Sequence, residues 1–125
     1  MSRVTSWVGP RLCRACSWPC LRPVFWTPGG DLKLGLLGKG GLPATGVAAV
    51  VVNTTVTETK AGGYLTVYPG TSSLPTASNL NWSTGATIPN LVTVQVGTDG
   101  TIKFHNGSGG TTQIIADTAG YYIGS

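Results

Sequence analysis

The feature that most constrains the fold is a series of short apolar runs, separated by Gly, Pro, Asn and Ser, that begins at Pro28 and continues to the end of the sequence. The runs are rich in β-branched and aromatic residues, and several alternate apolar with polar positions, as strands with one buried face do. We therefore predict an all-β fold, a mainly antiparallel β-sandwich of jelly-roll or immunoglobulin-like type with about seven to eight short strands. The expected strands are 32–36, 47–56, 64–68, 78–82, 91–96, 101–105, 112–117 and 121–123.

Two segments carry more specific expectations. Residues 47–56 (VAAVVVNTTV) are so continuously apolar and β-branched that we expect a central strand, buried on both faces or crossing the core. The turn at residues 97–100 contains Asp99-Gly100, a pair that favours tight hairpin turns. It predicts that the runs on either side of it form a β-hairpin.

Residues 1–27 have a composition that the rest of the chain does not share. They contain all three Cys, all four Arg and three of the four Trp, and prolines interrupt any periodicity. We expect this stretch to be a disordered or non-native extension and residues 28–125 to be one β-sandwich module. No apolar run is long enough to span a membrane, and the prolines break the continuous apolar stretch that a signal peptide needs.

The net charge of +4 does not point to nucleic acid. All four Arg precede residue 30, whereas the four Lys beyond it are matched by the four acidic residues, so the body of the chain is formally neutral. A nucleic-acid surface should lie on the folded domain as a basic patch. We therefore expect no nucleic-acid partner.

Five blocks of sequence between residues 41 and 122 carry a resemblance to a known module. They are, in order, GLPATGVAAVVVN, GYLTVYP, PTASNLNW, IPNLVTVQVG and HNGSGGTTQIIADTAGYY. In these blocks the chain resembles a repeat module of secreted and cell-surface proteins of actinomycete-type bacteria, present here as a single copy. The strand motif that usually opens that module, similar to Arg-Val-Leu-Asp-Thr-Arg, does not occur in residues 1–27. The resemblance implies an extracellular or cell-surface location, an accessory role and no catalytic activity.

The residues that could bind a metal are too few for a site. Cys13, Cys16 and Cys20 have the spacing C-x2-C-x3-C and could supply three thiolates, but a structural zinc site takes four ligands. The single histidine, His105, lies in a distant expected strand. We expect no metal site and no cofactor.

Catalytic groups are equally sparse. His105, Asp117 and a serine could be combined on paper as a triad, but no serine stands in a G-x-S-x-G sequence. We predict no catalytic residues and no enzymatic activity. An esterase or glycosidase would instead require His105 or Asp117 in a cleft beside a serine or a second carboxylate.

A carbohydrate site is the more plausible binding hypothesis. Sugars stack on exposed aromatic rings while amide and hydroxyl groups bind their hydroxyls. The candidate ligand-binding residues are Tyr64, Tyr68 and Trp82 as platforms, with Asn79 and Asn81 as polar partners; Tyr121, Tyr122 and Asn106 are further members of the same two classes. This hypothesis requires at least two of the rings to lie exposed on one concave face.

Two functions follow as expectations. The first is a non-catalytic extracellular or cell-surface accessory module, a structural spacer or interaction domain whose partners are other exported domains or a cell-surface polymer. The alternative is a carbohydrate-binding module for cell-wall or extracellular polysaccharide. The sequence leaves the oligomeric state open.

Overall fold

The computed structural model describes residues 27–39 and 42–124. Seven β-strands and no helix occur in these residues, so none of them forms a helix that could cross a membrane. The strands are β1 (Asp31–Gly35), β2 (Val47–Thr57), β3 (Gly63–Pro69), β4 (Leu80–Trp82), β5 (Ile88–Gln95), β6 (Thr101–Asn106) and β7 (Gln113–Ile123). The expectations for residues 1–26, including the three cysteines, lie outside the described residues.

The strands form two sheets, and every pairing is antiparallel. One sheet has four strands in the order β1-β6-β3-β4, and the other has three in the order β5-β2-β7. Only β3 and β4 are neighbours both along the chain and in a sheet. The expected antiparallel β-sandwich is confirmed.

Strand β2 is the central strand of the three-stranded sheet, as its β-branched run predicts. Its burial alternates, however, with Val50, Val52, Thr54 and Val56 buried and the residues between them half-buried. The expectation of complete burial on both faces is therefore wrong. The second face of β2 has β5 and β7 beside it, which shield it partly, and no further layer formed by residues 27–39 or 42–124 covers it.

The core lies between the two sheets. It is built from the inward residues of all seven strands and of the β1–β2 connection: Leu34, Leu36, Leu42, Val50, Val52, Val56, Leu65, Val67, Leu80, Trp82, Val92, Val94, Ile102, Phe104 and Ala116. Buried threonines at its margin donate hydrogen bonds to carbonyl groups. Thr59 Oγ1 reaches the Ala86 carbonyl at 3.0 Å and Thr112 Oγ1 the Thr57 carbonyl at 3.0 Å. These bonds remove the cost of burying a hydroxyl and attach loops to the sheets.

The predicted hairpin between the runs 91–96 and 101–105 is wrong. The turn itself forms, with a hydrogen bond from Gly100 N to the Gly97 carbonyl at 2.9 Å and a positive φ of 79° at Gly100. Its two strands belong to different sheets, since β5 pairs with β2 and β6 pairs with β1 and β3. The turn therefore carries the chain from one layer of the sandwich to the other.

The same turn forms a charged contact with strand β1. Asp99 is bonded to Lys33 Nζ on β1 at 2.5 Å and accepts hydrogen bonds from Thr101 Oγ1 at 2.6 Å and Thr101 N at 3.1 Å. The bond from Lys33 and the two from Thr101 lower the pKa of Asp99 from 3.8 to about 2. All three favour the ionised carboxylate.

This arrangement predicts an acid-sensitive contribution to stability. Because the pKa of Asp99 is lower in the folded than in the unfolded chain, its contribution is complete above pH 3.8 and is lost as the pH falls toward about 2. In Asp99→Asn the free energy of unfolding, measured by urea titration at several pH values, should fall less steeply across that window. Equal slopes for the variant and the wild type would contradict the assignment.

Strand β7 is continuous where the sequence predicted two strands. Its register against β2 shifts between the pairs Val51–Gly120 and Val52–Thr118, so Ala119 is the extra residue of a β-bulge. A bulge accommodates one additional residue while the two strands remain paired on either side. The predicted strands 112–117 and 121–123 are therefore one strand, and the chain does not turn between them.

Candidate functional site

The outer face of the four-stranded sheet carries a cavity at the β3–β4 end. Its volume is about 420 Å³. One side is formed by the sheet, where Tyr64 of β3 lies opposite Asn81 of β4. The other side is the segment between β3 and β4, and the complete lining is Tyr64, Leu74, Pro75, Thr76, Ala77, Ser78 and Asn81.

Tyr64 is the aromatic residue of this cavity. Its side chain is 39% exposed. The backbone of Gly107 lies directly against the hydroxyl end of the ring, so close that a Cβ at residue 107 would overlap three ring atoms. The ring of His105 is a further neighbour, tilted by 42° with its centroid 6.3 Å away. Gly107 and His105 thus lie against one side of the Tyr64 ring, and the exposed part of the ring lines the cavity.

Gly107→Ala should therefore displace the Tyr64 ring. The expected loss in the free energy of unfolding is about 1–3 kcal/mol, the usual range for overpacking a close contact. In the Tyr64→Ala background the same change should cost much less, because the clashing atoms are gone. A thermodynamic cycle of the four proteins by urea denaturation measures this coupling, and strictly additive losses would show that the ring does not rest on Gly107.

The wall of the cavity is fixed to the outer face of β3 by hydrogen bonds. Thr66 Oγ1 donates to the Ala77 carbonyl at 2.5 Å, and the backbone N of Asn79 donates to the Leu65 carbonyl at 2.7 Å. The Asn79 side chain accepts a bond from Val67 N at 2.7 Å. Asn79, a predicted ligand partner, thus uses its amide oxygen to continue the hydrogen bonding of β3 beyond the short strand β4.

Asn81, the other predicted partner, is exposed and borders the cavity. Its amide nitrogen lies 3.4 Å from Ser78 Oγ, a long and weak hydrogen bond. The amide oxygen and the second amide hydrogen can face a ligand. Tyr64 and Asn81 are therefore the predicted residues that the structure brings together at an accessible site.

Tyr68 is not an exposed platform, which corrects the sequence expectation. It is 3% exposed although it points to the same face of β3 as Tyr64. Lys103 Nζ, from the neighbouring strand β6, lies 5.8 Å from the centroid of the Tyr68 ring. Burial raises the pKa of Tyr68, and the hydrogen-bonding and charge effects of the Asp31 carboxylate raise it further.

Trp82 is likewise buried and cannot present its ring to a ligand. It points inward from β4 together with Leu80, while Asn81 between them points outward. The indole Nε1 donates to the Ala61 carbonyl at 2.8 Å. The ring is part of the core, and its polar atom is satisfied by the backbone of the β2–β3 connection.

The remaining aromatic candidates lie elsewhere. Tyr121 and Tyr122 are exposed on β7, in the other sheet, and do not line the cavity. The requirement for two exposed rings on one concave face is thus met by none of the predicted pairs; Tyr64 alone among them lines the cavity.

His105 is placed beside an acid, though not the one considered from the sequence. Its Nδ1 lies 2.7 Å from Asp31 Oδ1, across the β1–β6 pairing, and its side chain is largely buried. Asp117 lies in the other sheet, opposite Asn53 of β2. The contact of Asp31 with His105 thus links β1 and β6 on the outer face of the sheet.

Asn106 has a structural role that the sequence did not reveal. Fully buried, it donates from Nδ2 to the carbonyls of Thr27 and Gly110 at 3.2 and 3.1 Å. Its Oδ1 accepts from Ser108 N and Ser108 Oγ at 3.1 and 2.7 Å. The sequence Asn-Gly-Ser-Gly-Gly predicts a turn. It does not reveal that the Asn106 amide connects this turn to Thr27, the first described residue.

The described residues hold no group of three or more His, Cys, Asp or Glu side chains that could bind a metal ion. What the site offers is one supported aromatic ring, one open amide, and the hydroxyls of Thr76 and Ser78 around a small cavity. Such a set suits a neutral ligand with several hydroxyl groups. No protein-family model, no curated protein and no solved structure matches the chain.

Proposed function

We propose that this protein is a non-catalytic accessory module of exported or cell-surface proteins, a spacer or interaction domain. The proposal rests on the hydrogen bonds made by three side chains that could otherwise bind a ligand. Asn79, Trp82 and Asn106 each bond a backbone group that holds a loop against a sheet. Side chains fixed in this way make a rigid scaffold rather than a reacting centre.

The location and partners of this module are part of the same proposal. The five blocks that resemble a repeat module of actinomycete-type surface proteins favour the outside of the cell. Other exported domains or a cell-surface polymer are then the partners. The low charge of the chain, 10% of its residues, suits such contacts because few charged groups lose water when surfaces meet.

An activity screen tests the non-catalytic assignment. The protein should release no product from activated esters or aryl glycosides above the level of His105→Ala, a variant that removes the one imidazole of the chain. The dyad of His105 and Asp31 is the arrangement most able to assist proton transfer here. Turnover by the wild type that a folded His105→Ala protein lacks would overturn the proposal.

Carbohydrate binding is a second candidate, favoured by the cavity at Tyr64. A volume of about 420 Å³ lies within the usual size of small-ligand sites, and a ring, an amide and hydroxyls converge on it. With one ring rather than a row of them, the site fits a single sugar unit of a polysaccharide. The burial of Tyr68 and Trp82 makes an extended aromatic platform impossible at this position.

The test is a polysaccharide pull-down and glycan array with wild type, Tyr64→Ala and Tyr121→Ala. The two tyrosines are 39% and 40% exposed, so Tyr121→Ala is a matched control on the other sheet. If the cavity binds sugar, Tyr64→Ala should lose binding by about tenfold or more, as removal of a stacking ring does, while Tyr121→Ala binds normally. Equal binding by all three, or none by the wild type, would eliminate this candidate.

A further inference from the structure

The cavity at Tyr64 has an uncharged lining. None of the seven residues that line it is acidic or basic. A sugar that carries a carboxylate or a phosphate group would give up water in this cavity without meeting a cationic side chain. A sugar with a free amino group would equally lack an anionic partner there. The lining therefore favours a ligand without charge.

The segment between β3 and β4 gives the cavity an apolar surface besides the Tyr64 ring. Leu74, Pro75 and Ala77 belong to its lining, and Leu74 is 44% exposed. A simple hexose is apolar only on the faces of its ring, and hydroxyl groups surround its edge. With one face stacked on Tyr64, hydroxyls at the edge would lie against this apolar wall and lose water without gaining a partner. The wall therefore favours a sugar with an additional apolar group.

Asn81 adds an amide that can both donate and accept. Its amide nitrogen makes a long contact of 3.4 Å with Ser78 Oγ, which leaves the carbonyl oxygen and one N–H group for a ligand. An amide of the ligand can use both, donating its N–H to Asn81 Oδ1 and accepting from Asn81 Nδ2 at its own carbonyl. A single hydroxyl group does not place a donor and an acceptor this far apart.

The wall and the Asn81 amide are held in place by the sheet. Thr66 Oγ1 donates to the Ala77 carbonyl at 2.5 Å, and Asn79 N donates to the Leu65 carbonyl at 2.7 Å. Asn81 itself lies in the β3–β4 ladder, opposite Tyr64. A ligand that enters a site held in this way pays little for ordering the protein, so its own chemistry decides the affinity.

We infer that the cavity binds an N-acetylated hexosamine unit of a polysaccharide. The sugar ring stacks on Tyr64, the methyl of the acetamido group contacts Leu74, and the amide of that group bonds Asn81. This inference rests on the carbohydrate-binding candidate of the proposed function and names its class of ligand. An acetamido group is neutral and joins a methyl to an amide, so it matches the uncharged lining, the apolar wall and the open amide at once.

Titration of the full chain with N,N′-diacetylchitobiose and with cellobiose tests the inference. The two disaccharides have the same ring stereochemistry and linkage, but one carries an acetamido group on each ring where the other carries a hydroxyl. Backbone amide chemical shifts report binding, with a reducing agent that keeps Cys13, Cys16 and Cys20 as thiols. Diacetylchitobiose should bind at least about tenfold more tightly than cellobiose, because a site that bonds an amide rejects an analogue without one.

Two variants locate the origin of this preference. Leu74→Ala and Asn81→Ala should each reduce it to about threefold or less, because each removes a side chain that contacts the acetamido group. Leu91→Ala is the matched control. Leu91 is another exposed leucine, at 59%, but it lies on β5 in the other sheet, so its truncation should leave the preference unchanged. All three side chains are exposed, and their truncation should leave the protein folded.

The possible failures are distinguishable. Equal binding of the two disaccharides would overturn the inference and leave the carbohydrate site in place. Binding of neither disaccharide would eliminate the carbohydrate candidate, and the inference with it. A preference for diacetylchitobiose that survives in both Leu74→Ala and Asn81→Ala, or that falls equally in Leu91→Ala, would also overturn the inference, since the acetamido group would then bind elsewhere.

Discussion

Replacing Trp82 with alanine should lower the free energy of unfolding by about 3–5 kcal/mol, the range found when a buried Phe or Trp is truncated. The indole is among the largest side chains of the core, and its removal would leave a cavity between the sheets beside Leu80. The Ala61 carbonyl would also lose its hydrogen bond from Nε1. Urea denaturation followed by circular dichroism measures the loss.

Two variants separate the causes of that loss. Trp82→Phe keeps most of the apolar volume and removes the Nε1 donor, so it should cost about 1–2 kcal/mol. Tyr64→Ala removes an aromatic ring of the partly exposed outer face and should cost less than Trp82→Ala. Wild-type stability in Trp82→Ala, combined with loss of polysaccharide binding, would reverse the roles assigned to the two rings.

The strands could be predicted from the sequence because each depends on local pattern. The alternation of apolar and polar residues predicted the ends of β3 and β6 to within one residue, and the β-branched run predicted the position of β2. What alternation could not show is what covers each face. Tyr68 and Tyr64 share a face of β3, yet only Tyr68 is buried, and Lys103 of the neighbouring strand β6 lies against its ring.

The prediction of a hairpin at residues 97–100 was wrong for a different reason. Asp99-Gly100 is a local signal for a tight turn, and the turn is present. Whether the strands on either side stay in one sheet depends on competing long-range pairings, and β2 and β3 provide those pairings here. A turn signal therefore locates a reversal of the chain but does not identify the strand's neighbour.

The candidate site likewise depends on long-range contacts that a local sequence pattern does not reveal. Tyr64 and Asn81 could be named from the sequence as an aromatic ring and an amide of the right types. The cavity between them depends on the segment before β4, which the bonds of Thr66 and Asn79 hold over the sheet. Gly107, which lies against the Tyr64 ring, directly follows the end of β6. No pattern within one strand relates these three segments.

Asn106→Ala should be the most damaging change of a polar side chain among those described, with a loss of about 3 kcal/mol or more in the free energy of unfolding. The amide is fully buried and uses both of its ends. Alanine would remove these donors from the carbonyls of Thr27 and Gly110, which keep bonds from Gly30 N and Ser108 Oγ, and would leave Ser108 N without this acceptor. The loss comes from the four hydrogen bonds of a fully buried amide, each worth about 0.5–1.5 kcal/mol.

Comparison with Ser108→Ala and Asn81→Ala identifies the origin of this loss. Ser108→Ala removes one hydroxyl of the same network and should cost about 1 kcal/mol, whereas Asn81→Ala removes an exposed amide and should be close to neutral.

In the double variant of Asn106 and Ser108 the losses should not add, because the two side chains share a hydrogen bond. Amide hydrogen exchange should show the opening concentrated at Gly29 and Ser108, whose backbone N–H groups bond Asn106. If Asn106→Ala were as stable as Asn81→Ala, this amide would not be what holds the turn after β6 to Thr27.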